Sequence, residues 1–292
     1  MTKPKPKNSN DATVVKSNSL IQAGYRLTLA EQHVLLAAIS QIKKNDEPTD
    51  QTTYEITAAS LGDLTDTTSR RAYQELAEAV ERLWRREVRI EGGPNGDGTG
   101  PQGRRITMTR WVQDAIYRPD EGKVELRFAH SILPYLSMLQ REFTQYQYRH
   151  IAQMRSTHGI RLYELLQQWR QQGEREIELD DLRRMFGVEG KYKPIKNLKA
   201  RVIEPAVRDV NAYSDLYVRW GQRKRGRRVA AIQFVFEPQG AAISRALESK
   251  KPKKKQERLY TRRDLEADPS LAKPGETYEA ALTRLNQQAL PL

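Results

Sequence analysis

The sequence contains no cysteine and only four histidines among its 292 residues. Without cysteine, the chain cannot form disulfides, use a thiol in catalysis or bind zinc through thiolates. No stretch approaches the run of about 18 consecutive apolar residues that a membrane-spanning helix needs. The first residues carry charge but no apolar segment, so they do not resemble a signal peptide. These absences favour a cytoplasmic protein without a membrane partner.

Acidic residues are the minority charge, with 37 Asp and Glu against 50 Lys and Arg, which gives a net charge of +13. A chain this basic is expected to bind a polyanion, either a nucleic acid or an anionic membrane surface. We find no long helix with one basic and one bulky apolar face, which favours a nucleic acid. Hydrophobic residues make up 38% of the chain, enough for packed cores. The length indicates about two domains.

Residues 1–18 are basic and are predicted to form a disordered arm. Thr28 and Glu31 have the spacing of a capping box, which predicts that a helix begins there. Leu20, Leu27 and Val34 fall seven residues apart, which makes them candidates for a dimer contact. Two heptads are too few for a coiled coil, and the competing interpretation is a helix buried within its own domain.

The order of elements after Thr28 is that of a winged helix: helix, strand, helix, turn, helix and β-hairpin. The third helix is predicted over residues 70–85. The same order recurs in the second half, where a helix opens at Pro194 and is expected to kink at Pro205. The sequence therefore predicts an α+β protein with two tandem winged-helix domains, over residues 19–130 and 131–238. Residues 239–292 form a basic tail with a possible short helix over 277–287.

The chain resembles the replication initiators of theta-replicating plasmids whose origins carry iterons. The resemblance covers about residues 17–238 and rests on an ordered set of short segments: Asn18–Ile21, Leu27–Gln32, Ser40–Ile42, Arg161–Leu166, Val202–Val207 and Ile232–Phe234. It implies monomers that bind directly repeated origin sites and help to open the DNA. It also implies recruitment of the host initiator and helicase, and dimers, formed through the first domain, that repress the initiator's own promoter and so control copy number. The glycine-rich loop at residues 92–103 looks longer than a typical wing turn.

The helix that opens at Pro194 is the best candidate for reading bases in the major groove. At 3.6 residues per turn, its apolar positions fall on one arc. The other arc carries Lys193, Lys196, Asn197 and Arg201. Arg or Lys pairs with guanine and Asn with adenine at base edges. The alternative is a solvated helix face that happens to be basic.

A predicted hairpin tip carries five cations within six residues: Arg223, Lys224, Arg225, Arg227 and Arg228. Such a cluster is typical of a wing that lies along phosphates, although a merely solvated loop is the alternative. Five phosphate contacts would contribute about −4.5 to the slope of log K against log salt.

The equivalent helix of the first domain is less basic. Only its start, with Arg70 and Arg71, suits the DNA backbone, since Glu75 and Glu78 would repel phosphates. We expect this domain to position the protein on DNA rather than to specify sequence. If both domains dock, they should occupy two successive major grooves about 10–10.5 bp apart.

Rival functions have weaker support. A nicking enzyme of the rolling-circle type would need a His-hydrophobic-His metal site, and no His-x-His is present. The glycine-rich loop lacks the Gly-Lys-Ser/Thr ending of a phosphate-binding loop. We expect no cofactor, no metal and no catalysis. The main alternative is a winged-helix transcriptional repressor with no role in replication; an RNA binder is a weaker one.

Overall fold

The computed structural model describes residues 12–43, 46–59, 69–97, 105–242 and 261–288. The chain divides into two units, residues 1–242 and 243–292. The second unit contains two short helices, α9 (Arg262–Ala267) and α10 (Tyr278–Gln288), so the short helix predicted over 277–287 is confirmed. Over the described residues, no helix combines the length and the apolar character needed to cross a membrane.

The first domain has a winged-helix core. Its elements are β1 (Thr13–Ser17), α1 (Asn18–Ile21), α2 (Leu29–Ile39), β2 (Thr53–Thr57), α3 (Ser69–Trp84), β3 (Glu87–Glu91), β4 (Ile106–Arg110), β5 (Val112–Arg118) and β6 (Lys123–Phe128). Thr28 and Glu31 form the predicted capping box, which fixes the start of α2. Helix α2 packs on α3, and the sheet has the strand order β2-β6-β5.

The second domain repeats this topology. The remaining elements of this unit are β7 (Phe143–Gln147), α4 (Arg149–Ala152), α5 (Thr157–Gln167), β8 (Glu174–Glu178), α6 (Leu179–Met185), α7 (Ile195–Leu198), α8 (Glu204–Tyr213), β9 (Leu216–Arg225) and β10 (Arg228–Pro238). The sheet order of the second domain, β8-β10-β9, matches β2-β6-β5, and α5 packs on α8 as α2 packs on α3. The prediction of two tandem winged helices is therefore confirmed.

The prediction of a disordered arm through residue 18 is wrong for residues 13–17. These residues form β1, which pairs antiparallel with β7, so that Thr13 lies opposite Gln147. Val14, Lys16 and Ser17 are buried. Residues 1–11 lie outside the described residues. The first domain also extends past residue 130, because the short 3-10 segment His130–Tyr135 packs on β4.

Leu20, Leu27 and Val34, which are spaced seven residues apart, do not form an exposed stripe on the surface. Leu20 and Val34 have no exposed surface, and Leu27 is 8% exposed. All three belong to the core of the chain itself. The prediction that they form a dimer contact is therefore wrong, and the interpretation as buried core residues is confirmed.

Candidate DNA-binding surfaces

The turn before the best candidate helix is built by the end of α6. Leu182 and Met185 are buried, and Gly187 adopts a left-handed φ of +62° directly after the helix, as expected of a C-cap. The Arg183 guanidinium donates to the carbonyls of residues 191, 192 and 193 at 2.6, 3.0 and 3.2 Å. These bonds hold the end of the turn in place. Pro194 then caps the next helix, one residue outside the position predicted for it.

The candidate recognition helix consists of α7, a π-helical turn over Lys199–Ile203, and α8. The amide of Glu204 donates to the carbonyl of Lys199, five residues earlier. Pro205 has no N–H, and its ring would crowd the carbonyl of Arg201 in a regular α-helix. The disturbance predicted at Pro205 therefore takes the form of a π turn just before it. Such turns often mark functional sites.

The exposure of this helix follows the predicted arcs. Leu198, Val202, Ile203 and Ala206 are buried. The four predicted readers are exposed, and their side chains make no hydrogen bond or ion pair to any residue that the structure describes: Lys193, Lys196, Asn197 and Arg201. Arg208 is also exposed and, within the same residues, also unpaired. We did not predict it, although it lies about two turns beyond Arg201.

The second basic surface is the wing, the hairpin of β9 and β10. Its strands run farther than predicted, so the turn consists only of Gly226, with φ +63°, and Arg227. Arg225 and Arg228 lie directly opposite each other, an arrangement that like charges disfavour. Lys224, Arg225, Arg227 and Arg228 are exposed and have no ion-pair partner among the described residues. These four cations, called the wing cations below, are available to bind an anion.

Arg223 is not available in the same way. Its Nε lies 2.8 Å from Glu176 and its Nη2 2.5 Å from Glu178, both on β8. The two strands are separated by β10, where the small residue Ala231 is in register with both Arg223 and Glu178. These hydrogen bonds raise the pKa of Arg223. Four of the five predicted cations therefore have no ion-pair partner among the described residues. Their expected contribution to the slope of log K against log salt becomes about −3.6.

The pairing of Arg223 gives a testable expectation. Replacing Glu176 and Glu178 together by Gln should free Arg223 and strengthen DNA binding about five-fold at about 150 mM salt. The salt slope should steepen by about 0.9, the value of one phosphate contact. Binding titrations over a series of salt concentrations would measure both. The matched control is Glu174→Gln on the same strand, since Glu174 forms no ion pair within the described part of the chain. If the salt slope of this control steepened as much as that of the double variant, the expectation would be refuted.

The corresponding surfaces of the first domain are electrically balanced. On α3, Arg71 pairs with Glu75 at 3.2 Å and Arg85 with Glu81 at 2.6 Å. The side chain of Arg70 lies outside the described residues. Around the β5–β6 hairpin, the ion pairs are Arg118–Glu125 at 2.6 Å, Lys123–Glu121 at 2.6 Å and Lys123–Glu55 at 2.9 Å. This balance is in keeping with an auxiliary contact.

The glycine-rich loop does not belong to the wing of the first domain. It connects β3 with β4, which form a separate two-stranded sheet. The wing turn is instead the short segment Pro119–Gly122 between β5 and β6. The loop's length therefore says nothing about wing contacts; residues 98–104 lie outside the described part. Within the described ranges, no group of three His, Asp or Glu side chains is placed to hold a metal ion.

The chain is similar to several known proteins. A family model described as "Initiator Replication protein, WH1" matches residues 13–167, and one described as "Initiator Rep protein, WH2" matches residues 178–236. A replication initiation protein of Escherichia coli is 28% identical over 235 residues, which cover 78% of this chain and 70% of that protein. The PI protein of Escherichia coli is 22% identical over 248 residues, covering 75% and 80%.

Among solved structures, the chain is similar to the Pi initiator protein in complex with iteron DNA. The TM-score is 0.63 at 20% identity, with 78% of this chain and 97% of that chain covered. At this identity the likeness shows a shared fold, which agrees with the repeated topology of the two sheets.

Proposed function

Because the chain belongs to the initiator replication protein family, and contains that family's two winged-helix domains, we propose that it initiates plasmid replication by binding iterons in duplex DNA. The observation that carries this proposal is the basic surface of the second domain, where the cations at the start of the recognition helix and the four wing cations have no acidic partner among the described residues. The relative of similar fold that was solved on iteron DNA supports it. The function is one of binding, not of catalysis.

The two parts of the surface have different roles in this proposal. Lys193, Lys196, Asn197 and Arg201 lie at the start of the recognition helix, the part that reaches base edges in helix-turn-helix proteins. The wing cations bind phosphates, which supply affinity without reading sequence. The first domain contacts the neighbouring groove through Arg70 and Arg71, and positions the protein. A monomer then covers about two helical turns of DNA.

The remaining steps of the proposed function are inferred from the family to which the chain belongs. We propose that the bound protein promotes opening of the origin and recruits the host initiator and the replicative helicase. A dimer formed through the first domain represses the protein's own promoter, and all of this occurs in the cytoplasm. The dimer contact lies on a surface other than Leu20, Leu27 and Val34. Ultracentrifugation with and without origin DNA tests the exchange; a single oligomeric state in both conditions would contradict it.

The experiment that tests the function is selection of sites from random duplex DNA at about 150 mM salt. The selected motif is then sought in the DNA around the gene. Tandem direct copies beside an AT-rich stretch would support an initiator. A single inverted repeat at a promoter would instead indicate a dedicated repressor. Failure to enrich any motif would refute sequence-specific binding.

The division between reading and affinity predicts two different mutant phenotypes. Arg201→Ala should relax base preference at one position, at which wild-type discrimination is worth about 1–3 kcal/mol. Arg225→Ala should weaken binding to all sequences evenly and reduce the salt slope by about 1. Selection and salt titration with each variant would separate the two effects. Identical behaviour of the two variants would contradict the assigned roles.

A further inference from the structure

A short segment of the first domain contacts the helix-turn-helix of the second. This segment, Gln22–Arg26, follows α1 and is called the connector below. Gly24 forms an isolated β-bridge with Arg89 of β3, and α1 also packs on β3. The connector is therefore fixed to the first domain.

On its other side, the connector is bonded to the elements that precede the recognition helix. Arg26 donates from Nε to the carbonyl of Gly187 at 2.5 Å, and from Nη2 to the carbonyl of Glu189 at 3.2 Å. In return, Arg184 on α6 donates to the carbonyl of Gln22 at 3.2 Å. These bonds join the first domain to the turn that sets the position of the recognition helix.

The close approach depends on two glycines. A Cβ atom on Gly187 would lie only 2.4 Å from the carbonyl oxygen of Tyr25, far inside van der Waals contact. A Cβ on Gly24 would lie 3.2 Å from both the Cγ and the carbonyl oxygen of Arg184. The backbones of the connector and the turn thus meet where side chains would keep them apart.

A buried guanidinium reinforces this junction. Arg161 on α5 is 3% exposed, and its Nη2 donates to the carbonyls of Ile21 at 2.7 Å, Ala23 at 2.9 Å and Met185 at 3.1 Å. Its guanidinium also lies 4.1 Å from the centre of the Tyr25 ring. One side chain therefore binds the connector and the last residue of α6 together.

We propose that the connector is a positioning device: it fixes the distance and the rotational phase between the DNA-contacting helices of the two domains. This inference rests on the proposed function, in which both helices reach successive grooves of one site. Two modules held in the geometry of their site bind it far more tightly than either alone, and this gain is lost when the geometry does not match. A rigid connector therefore makes the protein sensitive to the spacing within each site.

The chain offers a matched pair of variants to test this. Gly187 and Gly190 lie in the same turn with left-handed φ values of +62° and +73°, so an alanine at either introduces similar backbone strain. Of the two, the new Cβ meets the connector at Gly187, whereas no atom of the described residues lies within 4 Å of a Cβ on Gly190. Gly187→Ala thus disturbs the junction, and Gly190→Ala controls for strain.

The first readout is independent of DNA. Because the chain has no cysteine, spin labels can be attached at Glu78→Cys on α3 and Ala212→Cys on α8, both exposed positions. We expect one narrow distance distribution by double electron–electron resonance in the unsubstituted protein and in Gly190→Ala. A broader or shifted distribution is expected in Gly187→Ala. An unchanged distribution in Gly187→Ala would overturn the proposal.

The second readout uses the selected DNA site with 5 bp inserted between the parts protected by the two domains. We expect the insertion to weaken wild-type binding about 100-fold. This is the lower end of the gain in affinity that results from joining two binding modules. Gly187→Ala should bind the intact site about 10-fold more weakly than wild type. The 5 bp insertion should reduce the affinity of Gly187→Ala by less than about 3-fold. Equal sensitivity of Gly187→Ala and wild type would overturn the proposal. If wild type binds no DNA specifically while the spin-label result holds, the proposed function fails and the connector's role as a rigid junction stands.

A second variant covers the case in which Gly187→Ala fails to fold. Arg26 is exposed, so Arg26→Ala removes two hydrogen bonds without opening a buried cavity. We expect the same changes in distance distribution and spacing profile, at a smaller size, and partial recovery in Arg26→Lys. An Arg26→Ala variant that matches wild type in both readouts would contradict the proposal.

Discussion

Replacing all four wing cations by Gln is expected to weaken DNA binding by about 1,000-fold at 150 mM salt and to reduce the salt slope by about 3.6. The four side chains are exposed and, in the described part of the structure, have no acidic partner. Each cation that meets a phosphate releases counterions, and the gain depends on the salt concentration with a slope of about 0.9 per contact. At 150 mM salt, four such contacts amount to about three orders of magnitude.

The measurement is a set of binding titrations between about 50 and 300 mM salt, with a specific and an unrelated duplex. Both duplexes should lose affinity to the same degree, because phosphates carry no sequence information. The control removes the same charge from four exposed arginines that are paired with acids outside the candidate DNA-binding surfaces: Arg89, Arg105, Arg170 and Arg262. If the control lowers the slope as much as the wing variant does, the effect reflects net charge and the wing assignment is wrong.

Glu164→Gln is expected to destabilise the protein by about 3–5 kcal/mol, the usual cost of leaving buried charges without a partner. The Glu164 carboxylate is buried on α5 and accepts from Lys16 Nζ at 2.6 Å, Tyr146 Oη at 2.6 Å and Arg161 Nη1 at 3.2 Å. Lys16 and Arg161 are themselves 1% and 3% exposed. The substitution therefore leaves two buried cations with no anionic partner among the residues that the structure describes.

A third buried cation increases the excess of positive charge that Glu164→Gln would leave in the core. Arg175 is buried nearby, and burial, assisted by the charge of Arg161, lowers its pKa to about 10. Lys16→Met should therefore be much less harmful than Glu164→Gln, because it removes a cation and leaves the pair of Arg161 with Glu164 intact. Thermal unfolding followed by circular dichroism would show the difference. We expect a melting temperature lower by about 6–20 °C for Glu164→Gln, at about 2–4 °C per kcal/mol. Equal losses in the two variants would contradict this account.

The same carboxylate makes a specific contribution to acid sensitivity. Burial opposes its ionisation, but the charges of Lys16 and Arg161 and the hydrogen bonds outweigh burial and lower the pKa of Glu164. A lowered pKa stabilises the fold at pH values above the ordinary carboxyl pKa of about 4.3, and this contribution is lost as pH falls through the folded-state value. The difference in stability between wild type and Glu164→Gln should therefore shrink below about pH 4.3.

Local signals explain what the sequence predicted well. The capping box at Thr28 and the start of a helix at Pro194 each depend on a few neighbouring residues, and both are present, the helix one residue later than predicted. Repetition of such signals in the two halves was enough to predict the tandem winged helices. The exposed arc of the recognition helix followed from its period alone.

Features that depend on distant residues were not predicted. Strand β1 looked like a disordered arm because its partner, β7, lies more than a hundred residues away. The pairing of Arg223 with Glu176 and Glu178 depends on strand order, which brings β8 and β9 to the two sides of β10. The heptad spacing of Leu20, Leu27 and Val34 is compatible with an exposed dimer contact or with a buried core, and the difference depends on which distant residues pack against them.

The pairing of β1 with β7 also determines when residues 13–17 can fold during synthesis. Thr13 reaches its partner Gln147 only after 134 further residues have been added, as the two residue numbers show. At about 5–20 residues per second, a ribosome needs about 7–27 s for that length. Throughout this interval Val14 and Lys16 have no sheet and no buried carboxylate to join. Strand β1 can therefore reach its native place only after every strand of the first domain's winged-helix core has been synthesised.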